Sequence, residues 1–98
     1  MDGYSVTTAE NGKVALDLLE TLTPPCLILL DLMMPVMDGF EFLERLQHHR
    51  NFASFEVLLI SANRDIHRAA RMPGVIGYLY KPFDLDQLMT IIEARCRP

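Results

Sequence analysis

The run Cys26-Leu27-Ile28-Leu29-Leu30-Asp31 is an apolar segment that ends in an acid, and Leu32-Met33-Met34-Pro35-Val36-Met37-Asp38-Gly39 follows it directly. A short run that is apolar throughout is typical of a β-strand buried on both faces of a sheet. In open α/β sheets, functional sites lie outside the carboxyl ends of the strands. The sequence therefore predicts that Asp31 is a candidate reactive group at such an end.

Composition places the chain among small globular domains. It has 98 residues, of which 50% are hydrophobic, and this is enough for a packed core and argues against disorder. Its net charge of −4 disfavours a dedicated nucleic-acid binder, because phosphate contacts need clustered basic side chains. Arg64, Arg68 and Arg71 are the nearest approach to such a cluster, and we interpret them as a solvated helix face.

Cysteine use and hydropathy indicate a cytoplasmic protein. Cys26 and Cys96 have no metal-like spacing, and we interpret them as reduced thiols. No apolar stretch approaches the ~20 residues that span a bilayer. Residues 1–4 have neither the basic nor the apolar region of a signal peptide.

Strand-like and helix-like segments alternate along the chain. Strands are predicted at residues 4–8, 26–31, 57–61 and 77–81, and helices at residues 12–22, 39–48, 65–72 and from 84 onward. Asn11 is a predicted cap of the first helix. Strict alternation predicts right-handed crossovers and a parallel sheet with helices on both faces.

Three polar residues follow apolar strands of this predicted sheet. Asp31, Ser61 and Lys81 each close a separate strand, and in a parallel sheet those ends share one edge. A carboxylate can attack phosphorus, while an ammonium and a hydroxyl can stabilise the negative charge on the phosphoryl oxygens. The set therefore favours phosphoryl transfer to Asp31. A small α/β enzyme is disfavoured, because there is no Gly-rich phosphate loop and no second acid near Asp31.

Three segments resemble the receiver domain of two-component response regulators in order and in spacing. They are residues 29–39, 59–62 and 78–83, and the likeness extends from Tyr4 to the C-terminus. The resemblance implies a flavodoxin-like (CheY-like) parallel sheet with helices on both faces. It also implies a signalling protein of a phosphorelay rather than an enzyme.

The resemblance implies a role for individual residues. Asp31 matches the phosphoacceptor, Ser61 the hydroxyl that senses the phosphoryl group, Lys81 the family's lysine and Tyr78 its aromatic switch residue. The family uses Mg²⁺, toward which this chain would offer the Asp31 carboxylate and the backbone carbonyl of Met33. The implied partner is a sensor histidine kinase or a phosphotransfer protein, with no nucleic acid and no membrane.

The fourth predicted strand carries two further expectations. Tyr78 and Tyr80 are expected to lie one exposed and one buried. The peptide bond between Lys81 and Pro82 resembles the family's cis-proline bond.

The chain differs from the family at its beginning. Receiver domains open with a strand that ends in paired acids and with a helix, so residues 1–98 are expected to form a receiver domain that is incomplete at the N-terminus. Asp2 cannot replace the metal-holding acids, because it lies at the amino end of a strand. In the flavodoxin-like order 2-1-3-4-5 the missing strand is central. Two arrangements are compatible with the missing strand. Either the first strand pairs directly with the second, or another copy of the chain supplies strands at the edges left unpaired. We favour the arrangement with another copy, which is a homodimer.

Two functions stay open on these observations. The chain is either a phosphoacceptor receiver or a phosphorylation-incompetent receiver that acts as an interaction or dimerisation module. The two functions differ in whether the chain binds Mg²⁺, and its metal site is expected to be incomplete. We expect the 98-residue chain to be phosphorylated poorly or not at all, because nothing else offsets the repulsion between carboxylate and phosphodonor.

Overall fold

In the part of the chain that the structure describes, four strands and four helices alternate. The computed structural model describes residues 5–21, 26–31, 39–50, 52–62 and 66–96. The strands are β1 (Ser5–Ala9), β2 (Cys26–Asp31), β3 (Phe55–Ser61) and β4 (Val75–Tyr80), and the helices are α1 (Gly12–Leu19), α2 (Gly39–Leu46), α3 (Ile66–Ala69) and α4 (Leu85–Cys96). A short 3₁₀ turn, Phe52–Ser54, precedes β3. The predicted α/β class is confirmed.

The strands form one parallel sheet in the order β1-β2-β3-β4. β1 pairs directly with β2, from Ser5 opposite Cys26 to Ala9 opposite Leu30. This is the first of the two arrangements that the sequence left open, so the gap between these strands is closed within one chain. The favoured arrangement, in which a second copy supplies strands at this gap, was therefore wrong, whereas a homodimer through another edge stays a prediction.

Two hydrophobic clusters lie on opposite faces of the sheet. The three-helix core packs α1, α2 and α3 against one face; its buried members include Ala15, Leu19, Ile28, Leu30, Phe42, Leu43, Leu46, Val57, Leu59, Ile66 and Ala69. The α4 core consists of Leu27, Leu29, Leu58 and Ile60, and partly buried residues of α4 pack against it. Consecutive residues of β2 and β3 thus alternate between two covered faces, which explains why both strands are apolar throughout.

The first three helices are shorter than their hydrophobic patterns predict. α1 begins as expected, because the Asn11 side chain accepts a hydrogen bond from the Val14 backbone N–H at 2.9 Å. It ends at Leu19, before the predicted residue 22, and the Thr21 N–H donates to the Leu18 carbonyl. α2 and α3 end in the same i to i+3 turns. Such turns satisfy the last carbonyls but leave the α-helical geometry, so apolar spacing overestimates helix length.

β4 begins two residues earlier than predicted, directly after a tight turn. Gly74 has φ +92°, a left-handed conformation, and its carbonyl accepts from the Val57 N–H at 2.9 Å. A Cβ atom at Gly74 would lie 2.9 Å from Cε1 of Phe52. Glycine is therefore required both by the backbone and by the close approach of an aromatic ring.

Candidate functional site

Asp31, Ser61 and Lys81 lie at the same edge of the sheet. Asp31 is the last residue of β2, Ser61 is the last of β3, and Lys81 directly follows β4. Because all strand pairs are parallel, these ends lie side by side. The structure thus gives these three residues the placement that the strand pattern predicted.

Asp31 and Lys81 form a direct ion pair. The Lys81 Nζ donates to Oδ2 of Asp31 at 2.6 Å. The two residues are 50 positions apart in sequence, and β3 lies between their strands, so the lysine side chain crosses the carboxyl end of β3. The Asp31 side chain is 31% exposed and the Lys81 side chain is 34% exposed, so solvent and small molecules reach the pair.

Ser61 is placed differently from Asp31, although it ends the adjacent strand. Ser61 is only 2% exposed. In the pairing of β2 with β3, Asp31 lies opposite Ile60, which is the residue before Ser61. Since Ile60 belongs to the α4 core and strand side chains alternate, Asp31 is directed to the α4 side and Ser61 to the three-helix side. The Ser61 carbonyl nevertheless accepts from the Lys81 backbone N–H at 3.0 Å. The structure therefore joins Asp31 and Lys81 through side chains, and Ser61 and Lys81 through the backbone.

Two tyrosines on β4 lie on the Ser61 side of the sheet. Tyr80 is the register partner of Ser61 and packs against the three-helix core, while Tyr78 is 40% exposed. Their rings meet edge to face, with centroids 5.4 Å apart and an interplanar angle of 67°. The two rings differ in exposure as expected, with Tyr78 exposed and Tyr80 partly buried, although residues two apart share a strand face. Sequence reasoning also missed Tyr80, the cross-strand neighbour of Ser61; the spacing of two shows only that Tyr80 shares a face with Tyr78.

The segment after β4 holds Lys81 beside the sheet edge. The Lys81–Pro82 bond is cis, as expected from the resemblance. Phe83 is partly buried against the α4 core. The Asp84 backbone N–H donates to the Gln87 side chain at 3.1 Å, which starts α4 with half of a capping box. The lysine is thus anchored on both sides by packed structure.

The carboxylates of the described residues do not by themselves make a metal centre. No group of three or more His, Cys, Asp or Glu side chains that could hold a metal occurs within the described ranges. Asp31 offers one carboxylate at the sheet edge, and Met33 lies outside the described residues, as do Arg64 and the side chains of Cys26 and Cys96. Mg²⁺ is usually held by one or two carboxylates together with phosphate oxygens and waters. The described residues alone do not fit a resident Mg²⁺ ion.

Comparison with known proteins identifies the class. The family model of the response regulator receiver domain matches residues 1–93, and the chain belongs to this family. The regulator NtrC of Klebsiella pneumoniae is 37% identical over 93 residues, which are 93% of this chain and 19% of that protein. Regulatory protein AtoC of Escherichia coli is 34% identical over 95 residues, 95% of this chain and 20% of its own length. The chain thus spans about a fifth of these relatives.

Solved structures support the same fold. The chemotaxis response regulator CheY4 of Vibrio cholerae matches with a TM-score of 0.74 at 18% identity, over 96% of this chain and 98% of that one. The signal receiver domain of a histidine kinase from Syntrophus aciditrophicus matches with a TM-score of 0.74 at 20% identity, over 92% and 87% of the two chains. The flavodoxin-like fold and the receiver family are therefore confirmed. Within the described residues, no helix is both long and apolar enough to cross a bilayer.

Proposed function

We propose that this chain is a phosphoacceptor receiver of a two-component phosphorelay and that Asp31 takes the phosphoryl group. The observation that carries the proposal is the contact between Lys81 Nζ and Asp31 Oδ2 at the open edge of the sheet. A carboxylate oxygen of Asp31 attacks phosphorus of a phosphohistidine, forming an acyl phosphate. The P–N bond breaks, and the imidazole nitrogen leaves with the bonding electrons.

Lys81 supplies the positive charge that this step needs. A phosphoryl group on Asp31 spreads negative charge over its oxygens within reach of the same ammonium group that now binds Oδ2. The ammonium is preorganised, since Phe83 and the Lys81 backbone N–H anchor the segment that carries it. It therefore stabilises charge at the acceptor without a large rearrangement.

The readout of phosphorylation is proposed to lie on the other face of the sheet edge. Ser61 is the residue that senses the phosphoryl group, and Tyr80 lies opposite it in the ladder. Tyr78 contacts Tyr80 and is 40% exposed, so it can carry a change at Ser61 to the surface. Tyr78 is thus the switch residue, with Tyr80 between it and the site.

The partners follow from this role. A sensor histidine kinase or phosphotransfer protein donates the phosphoryl group, the setting is the cytoplasm, and a second copy of the chain is proposed to bind at a sheet edge. Mg²⁺ is the family's cofactor. Since the described residues hold no group of three or more metal-binding side chains, we expect weak Mg²⁺ binding and slow accumulation of the adduct.

Intact mass spectrometry after incubation with a small phosphodonor and Mg²⁺ tests the proposal. We expect a phosphoryl adduct that accumulates slowly, to less than one per chain, and that disappears in Asp31→Asn, since the amide has nearly the same shape but is not a nucleophile. Asp17→Asn is the matched control, because it removes an exposed carboxylate on α1 and should keep the adduct. If no adduct forms at any Mg²⁺ concentration while the chain is folded, the chain is the phosphorylation-incompetent interaction module instead.

A further inference from the structure

β1 is an edge strand that lacks the usual protection against pairing. Among the described strands it has a neighbour on one side only, namely β2. Natural edge strands are commonly blunted by charges, prolines or bulges. The segment Ser5–Ala9 has no charged residue and no proline, and its pairing with β2 is regular. The outer edge of β1 can therefore accept another strand.

We infer that the outer edge of β1 binds the β1 strand of a second copy of this chain, antiparallel and about a two-fold axis. The inference rests on the homodimer in the proposed function, for which it names the interface, and it is independent of phosphoryl transfer. The two sheets would become one continuous sheet of eight strands.

The sequence of β1 is compatible with this symmetry. An axis perpendicular to the sheet through Thr7 places Thr7 opposite its own copy and Val6 opposite Thr8 of the other copy, and it uses all five residues of the strand. Val6 and Thr8 are in register with Leu27 and Leu29, so both lie on the α4 side. The Thr7 pair at the axis is favourable, because threonines that lie opposite each other on paired strands can form a hydrogen bond.

Charges at the ends of β1 do not oppose the antiparallel arrangement. Each copy carries a net charge of −4, and Glu10 directly follows β1. About an axis at Thr7, the two Glu10 residues lie at opposite ends of the paired strands, roughly 20 Å apart at the usual rise per residue. This separation exceeds the screening length of about 8 Å at physiological salt, so the acids do not oppose pairing.

The α4 side of the sheet leaves apolar surface for a partner to cover. Val6 of β1 is 39% exposed there, whereas Leu85, which is 68% exposed, belongs to α4 and lies outside the paired strands. A perpendicular two-fold axis puts both α4 helices on the same face of the joined sheet. Pairing over five residues buries little area, below the ~1,000 Å² of a stable interface, so we expect a dissociation constant in the micromolar range or weaker.

Sedimentation equilibrium over a wide concentration range tests the interface in the 98-residue chain. Two double variants at exposed positions form the comparison. Val6→Lys with Thr8→Lys sets like charges opposite each other twice, and we expect the dissociation constant to rise at least about tenfold. Val6→Lys with Thr8→Glu sets opposite charges in the same places and should stay within about threefold of the parent chain. Circular dichroism and a thermal melt establish that both variants are folded.

Leu85→Lys serves as the control for apolar surface elsewhere, and it should leave the association unchanged. A parent chain that is monomeric at all concentrations overturns the inference, and so does equal loss of association in both double variants. Loss of the dimer in Leu85→Lys alone would put the interface on α4 and overturn it as well. The phosphoryl adduct is measured on the same samples: a dimer without adduct refutes only the phosphoacceptor role, and an adduct on a strict monomer refutes only the interface.

Discussion

Replacing Lys81 with methionine separates its contribution to stability from its contribution to phosphoryl transfer. The substitution removes the charge but keeps most of the length of the side chain. At 2.6 Å from Asp31 Oδ2 the bare attraction is about 1.6 kcal/mol with the dielectric constant of water and about 6 kcal/mol at an effective value near 20. Both side chains are about one third exposed, so desolvation and ordering offset most of this. We expect a net loss of stability near 1 kcal/mol.

The expected effect on chemistry is larger. Removal of one preorganised charge or donor at a reacting centre commonly slows a reaction by about 10²-fold, and we expect adduct formation in Lys81→Met to slow by that factor. Lys81→Arg keeps the charge and should retain part of the rate. Urea denaturation gives the stability, and the time course of the adduct by intact mass gives the rate.

Lys13→Met is the matched control for a lost lysine. On α1, Nζ of Lys13 lies 4.0 Å from Oδ2 of Asp17, and the Lys13 and Asp17 side chains are 63% and 74% exposed. Its removal should cost less than about 0.5 kcal/mol and leave the rate unchanged. Equal rates in Lys81→Met and Lys13→Met would refute the charge-stabilising role. A stability loss above about 3 kcal/mol in Lys81→Met would refute the treatment of the pair as solvent-screened, since such losses belong to buried pairs.

Five further substitutions, in three tests, probe the fold and the switch. Gly74→Ala should lower the free energy of unfolding by about 1 kcal/mol or more, because Gly74 has a positive φ and a Cβ atom there would lie too close to Phe52. Gly77→Ala should be tolerated, and urea denaturation of both variants measures the difference. Phe42→Ala should cost about 3–5 kcal/mol, whereas Phe40→Ala, at a position 41% exposed, should cost about 1 kcal/mol or less; a comparable loss in both would refute the core assignment. Tyr78→Leu should keep the phosphoryl adduct but reduce the change in tyrosine fluorescence that accompanies it, and an undiminished change would exclude Tyr78 from the switch.

The placement of Asp31 and Lys81 could be predicted from sequence because it needs few assumptions. Each residue follows a segment whose β-character is evident, and parallel pairing brings strand ends together whatever their exact register. The ion pair is thus the outcome of topology and of one long, flexible side chain. The same reasoning holds for the apolar segments of β2 and β3, whose continuous burial matches their composition.

The relation between Ser61 and the tyrosines could not be predicted from strand ends alone. It depends on register, since Asp31 is opposite Ile60 and Ser61 is opposite Tyr80. A shift of one residue reverses the face of every side chain, and an apolar strand that is buried on both sides carries no alternation from which the register could be read. The grouping of Ser61 with the tyrosines, and its separation from Asp31, became visible only in the folded sheet.

The neighbour of β1 could not be predicted for a related reason. A sequence shows which segments form strands, but the order of parallel strands depends on crossovers and on which apolar faces find cover. Here Ala15 and Leu19 of α1 are buried within the three-helix core, and this packing holds β1 beside β2. The pairing with β2 leaves the other side of β1 without a neighbour among the described strands. The open edge of the sheet is therefore the outer side of β1, not a gap between β1 and β2. The chemistry at Asp31 and the pairing at β1 therefore occupy different parts of the sheet, and substitutions at one should leave the other intact.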